Sequence, residues 1–219
     1  MSAFGLLAMK FKIEVIMPQR IIGVSKRLIE VAKKEFLEKG FEGASIRTIA
    51  HESETSPRAV YTRFENKEEL FAAVVEPVYS DFIKMFNEDK IIYWNMARNK
   101  DFSKNPEEYY LRYLDYAYAH KDQFVLILQK SKGTRFEHFT QKLCEIDLTE
   151  LNKQLPEILE DFKKFQKDKS TQLFLSTITY SFYNALFAPL IEGIELDVAK
   201  SYITKLTNFY NDGILAGIK

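Results

Sequence analysis

The residues from Ser56 to Arg63 are the ones best suited to chemistry, and that chemistry is contact with a polyanion. Val60 and Phe64, at fourfold spacing, turn inward on a short helix and leave Ser56, Arg58, Ala59, Tyr61, Thr62 and Arg63 outside. Hydroxyl and guanidinium groups suit phosphate oxygens and base edges. Arg58 is the natural bidentate partner for guanine, while Ala59 and Thr62 can touch a thymine methyl. Arginines on such a helix can also do no more than solvate it, so the setting has to decide. Nothing elsewhere competes as a reaction centre: the chain has no Ser-His-Asp order, no HExxH, no glycine-rich phosphate loop and no paired acidic motif, so no enzyme is expected. His120 and His138 are isolated from other ligating residues, and no metal or cofactor is expected. Cys144 has no basic cluster beside it to favour the thiolate.

Helical punctuation supplies the scaffold for these side chains. Ser25 reads as the N-cap of a helix over about 26–39 that carries Leu28, Ala32 and Phe36 and stops at Gly40. Ser45 caps a second over 46–53, with Ile46, Ile49 and Ala50 inward. Ser56 caps a third over 57–63, and Pro57 takes the first-turn slot where its missing N–H does no harm. Asn66 opens a fourth, with Glu69 in the capping-box position and Leu70, Val74 and Val78 on one face. The second and third, joined by a tight turn, have the spacing of a helix-turn-helix, whose second helix lies in the DNA major groove. Farther on, Asn105 and Pro106 start a helix through Tyr109, Tyr113 and Tyr116, followed by a short apolar piece over 124–128 and a break at Gly133. A polar-rich stretch interrupted at Pro156 leads to two final helices over 170–191 and 198–218.

Composition agrees with this all-α reading. The chain has 219 residues, 46% hydrophobic and 28% charged, and its 8 glycines and 6 prolines are too few for a many-stranded fold. Its 31 basic residues balance 31 acidic ones, so attraction to DNA must come from a local patch. A single cysteine excludes an intramolecular disulfide framework and fits a reducing compartment, so a cytoplasmic location is expected. The N-terminus lacks the pattern of a secretory signal. The uncharged run 170–191 is long enough to span a bilayer, yet Ser170, Thr171, Gln172, Ser176, Thr177, Thr179, Ser181 and Asn184 make it too polar for a lone span. No membrane contact is expected; a place in a bundle or at a subunit interface is.

The segments KRLIEVAKKEFLEKGFEGASIRTIA (26–50) and SPRAVYTRFENKEELF (56–71) resemble the DNA-binding domain of the TetR family of bacterial repressors. Phe36, Gly40, Phe41, Ser45, Ile49, Ala50, Ser56, Tyr61, Phe64 and Lys67 fill the family's pattern, and the likeness covers about the first third of the chain. It implies an N-terminal three-helix helix-turn-helix domain over 25–74, after an extension over 1–24, and a C-terminal helical bundle over 75–219 for ligand binding and dimerisation. It also implies phosphate contacts by Arg47, Tyr61 and Lys67 and base reading by Arg58, Ala59 and Thr62, with Ser45, Ser56, Pro57 and Arg63 on the same surface. Lys67 beside the free N–H groups of the fourth helix would make an anion site. The chain departs from the pattern at Glu54 and Thr55, which stand where the family has Gly and Val in the turn. A non-glycine residue at positive φ is strained there, and Glu52 and Glu54 bring negative charge toward the expected DNA surface. Between Arg20 and Val75, ten basic residues face nine acidic ones, so few phosphate contacts and a shallow salt slope are expected.

The partners implied by the resemblance are a double-stranded DNA operator, a small-molecule effector and a second copy of the chain, held through the last two helices. The apolar stripes of those helices support the dimer independently. Twofold symmetry would set two recognition helices about one DNA turn apart, roughly 34–36 Å, and calls for a near-palindromic operator. Trp94, Tyr110, Tyr113, Tyr183, Asn184 and Phe187 are aromatic or polar residues on otherwise apolar helices; they are the candidate ligand contacts, with plain core as their alternative. The expectation is a repressor released by a small apolar or aromatic inducer. Its rival is a helix-turn-helix protein whose body binds a protein partner.

Overall fold

The computed structural model describes residues 19–100, 106–158 and 168–217, and every regular element among them is helical. Helix α1, Gln19–Gly43, runs through Ser25, so its start lies upstream of the expected cap. Gly40 interrupts it as the terminator should, at φ +70°, and a side chain there would also approach the carbonyl of Lys130 to 3.8 Å. Helices α2, Ile46–Glu52, and α3, Pro57–Arg63, follow from local signals. The Ser45 and Ser56 hydroxyls accept hydrogen bonds from the N–H groups of Thr48, at 3.4 Å, and Ala59, at 3.2 Å.

Helix α4, Lys67–Arg98, is capped by Asn66, whose side chain accepts from the Glu69 N–H at 3.0 Å. The capping box is only half made, because the Glu69 carboxylate turns to Arg135 at 2.8 Å. The helix crosses the expected boundary at residue 74 and passes through Pro77. Its inward stripe, Leu70, Val74, Val78, Phe82 and Phe86, is buried on both sides of that proline, and this packing offsets the one hydrogen bond proline removes.

Then come α5, Glu107–Ala119, and α6, Lys121–Val125, which continues as a π-helical turn over Leu126–Lys130. Helices α7, Phe139–Ile158, α8, Lys169–Ile191, and α9, Leu196–Gly217, complete the order. Asn105 and Ile218 lie outside the described residues. The interruption expected at Pro156 is absent: the proline sits in the last turn of α7, where its missing N–H costs one bond near the helix end.

The body is built around aromatic rings. Phe82 is fully buried and meets Phe86, Tyr113, Tyr116, Phe124, Phe139 and Phe187 at centroid distances of 5.3–6.4 Å. Helix α8 is the one described helix long and apolar enough to cross a bilayer, but it is a one-sided bundle helix. Its inner face, Leu175, Phe182, Tyr183, Leu186, Phe187 and Leu190, is buried against α5, α7 and α9, while Leu173 and Tyr180 face outward.

The loop between the π-helical turn and α7 straps the body to the start of α4. The Arg135 N–H donates to Glu68 at 2.8 Å, and its guanidinium reaches Glu69 at 2.8 Å and Glu76 at 3.4 Å while lying over Phe136. Gly133, at φ +83°, comes up against Phe41 of α1.

Candidate nucleic-acid interface

The orientation of α3 follows from its inward residues. Val60 is buried, and Phe64, the C-cap, is only half-buried, packing on the edge of the core. Ser56, Pro57, Arg58, Tyr61, Thr62 and Arg63 are exposed, Tyr61 to 52%. Ala59 departs from the expected set, because it flanks Val60 on the helix and is half-buried.

Arg47 on α2 is exposed as well, and among the described residues neither Arg47 nor Arg58 is drawn into an ion pair. Both guanidinium groups are therefore available. Arg63 is partly committed, since it donates to the Ala59 carbonyl at 2.8 Å, and the Thr62 hydroxyl donates to the Arg58 carbonyl at 2.8 Å while its oxygen stays free to accept. Ser45 is fixed from both sides: its side chain caps α2 and its N–H donates to the buried Glu35 carboxylate at 3.1 Å.

Lys67 has a different first duty from the one its position suggests. Its ammonium donates to the carbonyls of Glu42, at 3.1 Å, and Ala44, at 3.2 Å, and lies 4.6 Å from the centre of the Phe41 ring. It ties the end of α1 to the start of α4 and keeps one of three donors for anything else. At the N-terminus of α4, where the anion site is expected, Asn66 takes the Glu69 N–H, and Glu68 and Glu69 stand in the first turn with their carboxylates on Arg135.

The turn between α2 and α3 resolves the departure at Glu54. Glu54 adopts φ +54°, the left-handed conformation expected of a glycine there. Its carboxylate accepts from Arg27 of α1 at 2.7 Å, and the same guanidinium reaches the Glu52 carbonyl at 3.4 Å. The hydrogen bond from Arg27 holds the Glu54 carboxyl below its usual range. A depressed acid stabilises the fold above its ordinary range and loses that contribution as pH falls through the lowered value, so this clamp weakens only on acidification.

The candidate ligand contacts are not brought together. Tyr113 and Phe187 are packed in the solid aromatic core, and Trp94 is buried near the end of α4, its indole N–H without a partner among the described residues. Asn184 is exposed, its amide accepting from Thr140 at 3.1 Å and donating to the Tyr180 carbonyl at 2.8 Å. One residue along a helix is about 100° of rotation, and that carries Asn184 off the inward face that Tyr183 occupies. Of the six, Tyr110 lines a cavity. This cavity of about 70 Å³ lies between α5, α7, α8 and α9, with Tyr110, Asp147, Phe182 and Tyr210 on its wall beside Thr179, Thr207 and Asn211.

Tyr183 stands behind that cavity, its hydroxyl donating to Asp147 at 2.7 Å, and the other oxygen of Asp147 pairs with Lys90 of α4 at 2.6 Å. Burial pushes both Tyr110 and Tyr183 far above the ordinary tyrosine range, so they remain hydroxyl donors. Burial, with Asp147 and Glu145 nearby, pushes the Cys144 thiol up to about 11, which keeps it protonated and unreactive. Sequence periodicity missed Asp147, Lys90, Phe182 and Tyr210; a charge at a core-facing helical position was the available signal for the first two.

Comparison with known proteins bears on both halves. Residues 28–74 match the sequence model of a family described as bacterial regulatory proteins, tetR family. None of the curated proteins matches the chain in sequence. Many solved structures resemble it in fold, among them three bacterial regulators. One is a transcriptional regulator of the TerR/AcrR family from Aquifex aeolicus VF5, at 21% identity and TM-score 0.56 over 85% of this chain and 99% of that one. A TetR-like transcriptional regulator from Rhodococcus sp. RHA1 has 22% identity and TM-score 0.51 over 84% and 92%. NalD, the secondary repressor of the MexAB-OprM multidrug efflux pump in Pseudomonas aeruginosa, has 13% identity and TM-score 0.53 over 87% and 96%.

Proposed function

We propose, from a chain whose residues 28–74 match the tetR family of bacterial regulatory proteins, that it is a transcriptional regulator, a ligand-released repressor acting in the cytoplasm as a homodimer. The observation that carries the reading is α3 itself: Arg58, Tyr61 and Thr62 stand exposed on a helix anchored by Val60 and capped by Ser56. Arg58, Ala59 and Thr62 read bases, with Ala59 at the flank of the contact. Arg47, Tyr61 and the third donor of Lys67 meet phosphates, and Ser45, Ser56, Pro57 and Arg63 border them. The outward stripes of α8 and α9 pair two copies across a near-palindromic operator. A small aromatic effector enters the body, and the free energy by which it prefers the released form sets the loss of operator affinity.

The test is a binding series on randomised operators. Arg58→Ala should cost about 1–3 kcal/mol at one base position and relax the preference there, because a bidentate guanine contact is lost. Lys67→Ala should weaken all sequences alike and also lower thermal stability, since two carbonyls lose their donor. Uniform loss of affinity in the Arg58 variant would remove it from base reading.

Glu54 offers a charge test on the same surface. Glu54→Gln should keep the turn, remove a negative charge beside the operator and release Arg27 toward it. Affinity should rise roughly threefold at low salt and the gain should fade at high salt, where such interactions are screened. Fluorescence anisotropy across a salt series checks this, and a gain independent of salt would contradict it.

A further inference from the structure

The cavity beneath Tyr110 carries a charge arrangement that selects a ligand class, an inference that rests on the body being an effector domain. Three aromatic side chains crowd it: the ring centres of Tyr110 and Phe182 are 4.6 Å apart, and those of Phe182 and Tyr210 are 5.1 Å apart. Asp147 is the one ionised group on its wall. Electron-rich rings beside a carboxylate attract an organic cation, through the ring quadrupole and a charge-assisted hydrogen bond. An anion would meet Asp147 head-on. At about 70 Å³ the space admits a polar head and little more, while Asn211 at its rim is exposed and leaves room for the rest of a ligand to extend outward.

The charge of Asp147 is at present answered by Lys90, at 2.6 Å. We propose that the cavity receives the ammonium head of a small aromatic amine, which takes Asp147 over from Lys90. The displaced lysine is not stranded. Lys90 also lines an open groove between α4 and α7 whose other wall carries Glu145 and Glu150 beside Lys142, so two carboxylates against one further cation receive its ammonium. Tyr183 keeps its hydrogen bond to the second oxygen of Asp147 throughout. Lys90 belongs to α4, the helix that starts at Lys67 directly after the recognition helix. Exchange of the cation on Asp147 therefore removes one tie between α4 and α7, while Phe82 and Tyr79 stay packed on Phe139, and a binding event in the body reaches the DNA-binding end along a single helix.

The test uses the full-length protein in two measurements: calorimetric titration without DNA by 2-phenylethylammonium and by 2-phenylethanol, its neutral analogue, and fluorescence anisotropy of the protein on its selected operator as each compound is added. The ammonium should bind at least about tenfold more tightly than the alcohol, and Asp147→Asn should erase the difference. Lys90→Met should strengthen ammonium binding by about tenfold, because the internal competitor is gone. A residue with a merely structural role would weaken it. If Lys90→Met does not fold, Lys90→Gln makes the same comparison. Equal binding of the two compounds, binding of neither, or ammonium binding that survives Asp147→Asn or falls on removal of Lys90 would overturn the proposal. Ammonium binding with the expected preference but no operator release would leave the cavity assignment standing and refute the effector reading. Release by neutral aromatics alone would do the opposite.

Discussion

Phe209→Asp should weaken binding to a two-half-site operator by roughly 10²–10⁴-fold while leaving contact with an isolated half-site unchanged. Phe209 is 73% exposed on α9, and Val198, at 60%, lies eleven residues away on the same face of that helix. On the adjacent α8, Leu173 is 69% exposed and shares a stripe with Tyr180. Large apolar groups at this exposure on neighbouring helices are what a second copy would cover. Linking two DNA-binding domains makes the second half-site contact intramolecular, and a carboxylate placed in the interface removes that linkage through its desolvation cost. Sedimentation measures the oligomer and anisotropy measures both operators. A variant that remains dimeric at micromolar concentration and keeps its operator affinity would show that these faces do not pair.

The second large effect belongs to the core. Phe82→Ala should destabilise the fold by about 3–5 kcal/mol, the range for emptying a fully buried aromatic site. For a chain of this length that corresponds to a fall in Tm on the order of 10 °C. Phe82 stands where rings from α4, α5, α6, α7 and α8 meet, so the cavity it leaves has walls on five helices and little freedom to collapse. Thermal unfolding followed by circular dichroism gives the value. Tyr61→Ala is the control: that ring is half-exposed, and its removal should leave Tm nearly unchanged while reducing operator affinity. Similar Tm losses in the two variants would mean that Tyr61 has a structural part its exposure does not suggest.

The uneven reach of the sequence is plain when α3 is set beside the cavity. Ser45, Ser56, Asn66 and Gly40 act within three or four residues of themselves, on N–H groups and turns that any unfolded copy of the segment already carries in order. Such signals survive translation into a string of letters, so the helix-turn-helix and its exposed Arg58, Tyr61 and Thr62 could be read directly. The break expected at Pro156, the cap at Ser25 and the grouping of Trp94, Asn184 and Phe187 fared worse. Each depends on what lies beside the helix, and helical periodicity is the same for a ring lining a cavity as for one filling a core.

By itself, then, the chain's sequence determined the α-helical class and the helix-turn-helix, because local hydrogen bonds and fourfold apolar spacing are written residue by residue. Tertiary structure alone decided that Lys67 serves the end of α1, that Arg27 restrains Glu54, and that Lys90, Asp147 and Tyr183 form one cluster. These partners stand 25, 27, 57 and 36 residues apart in the chain. Contacts at that separation form only after the helices have packed, and which pairs then meet is set by the shape of the shared core.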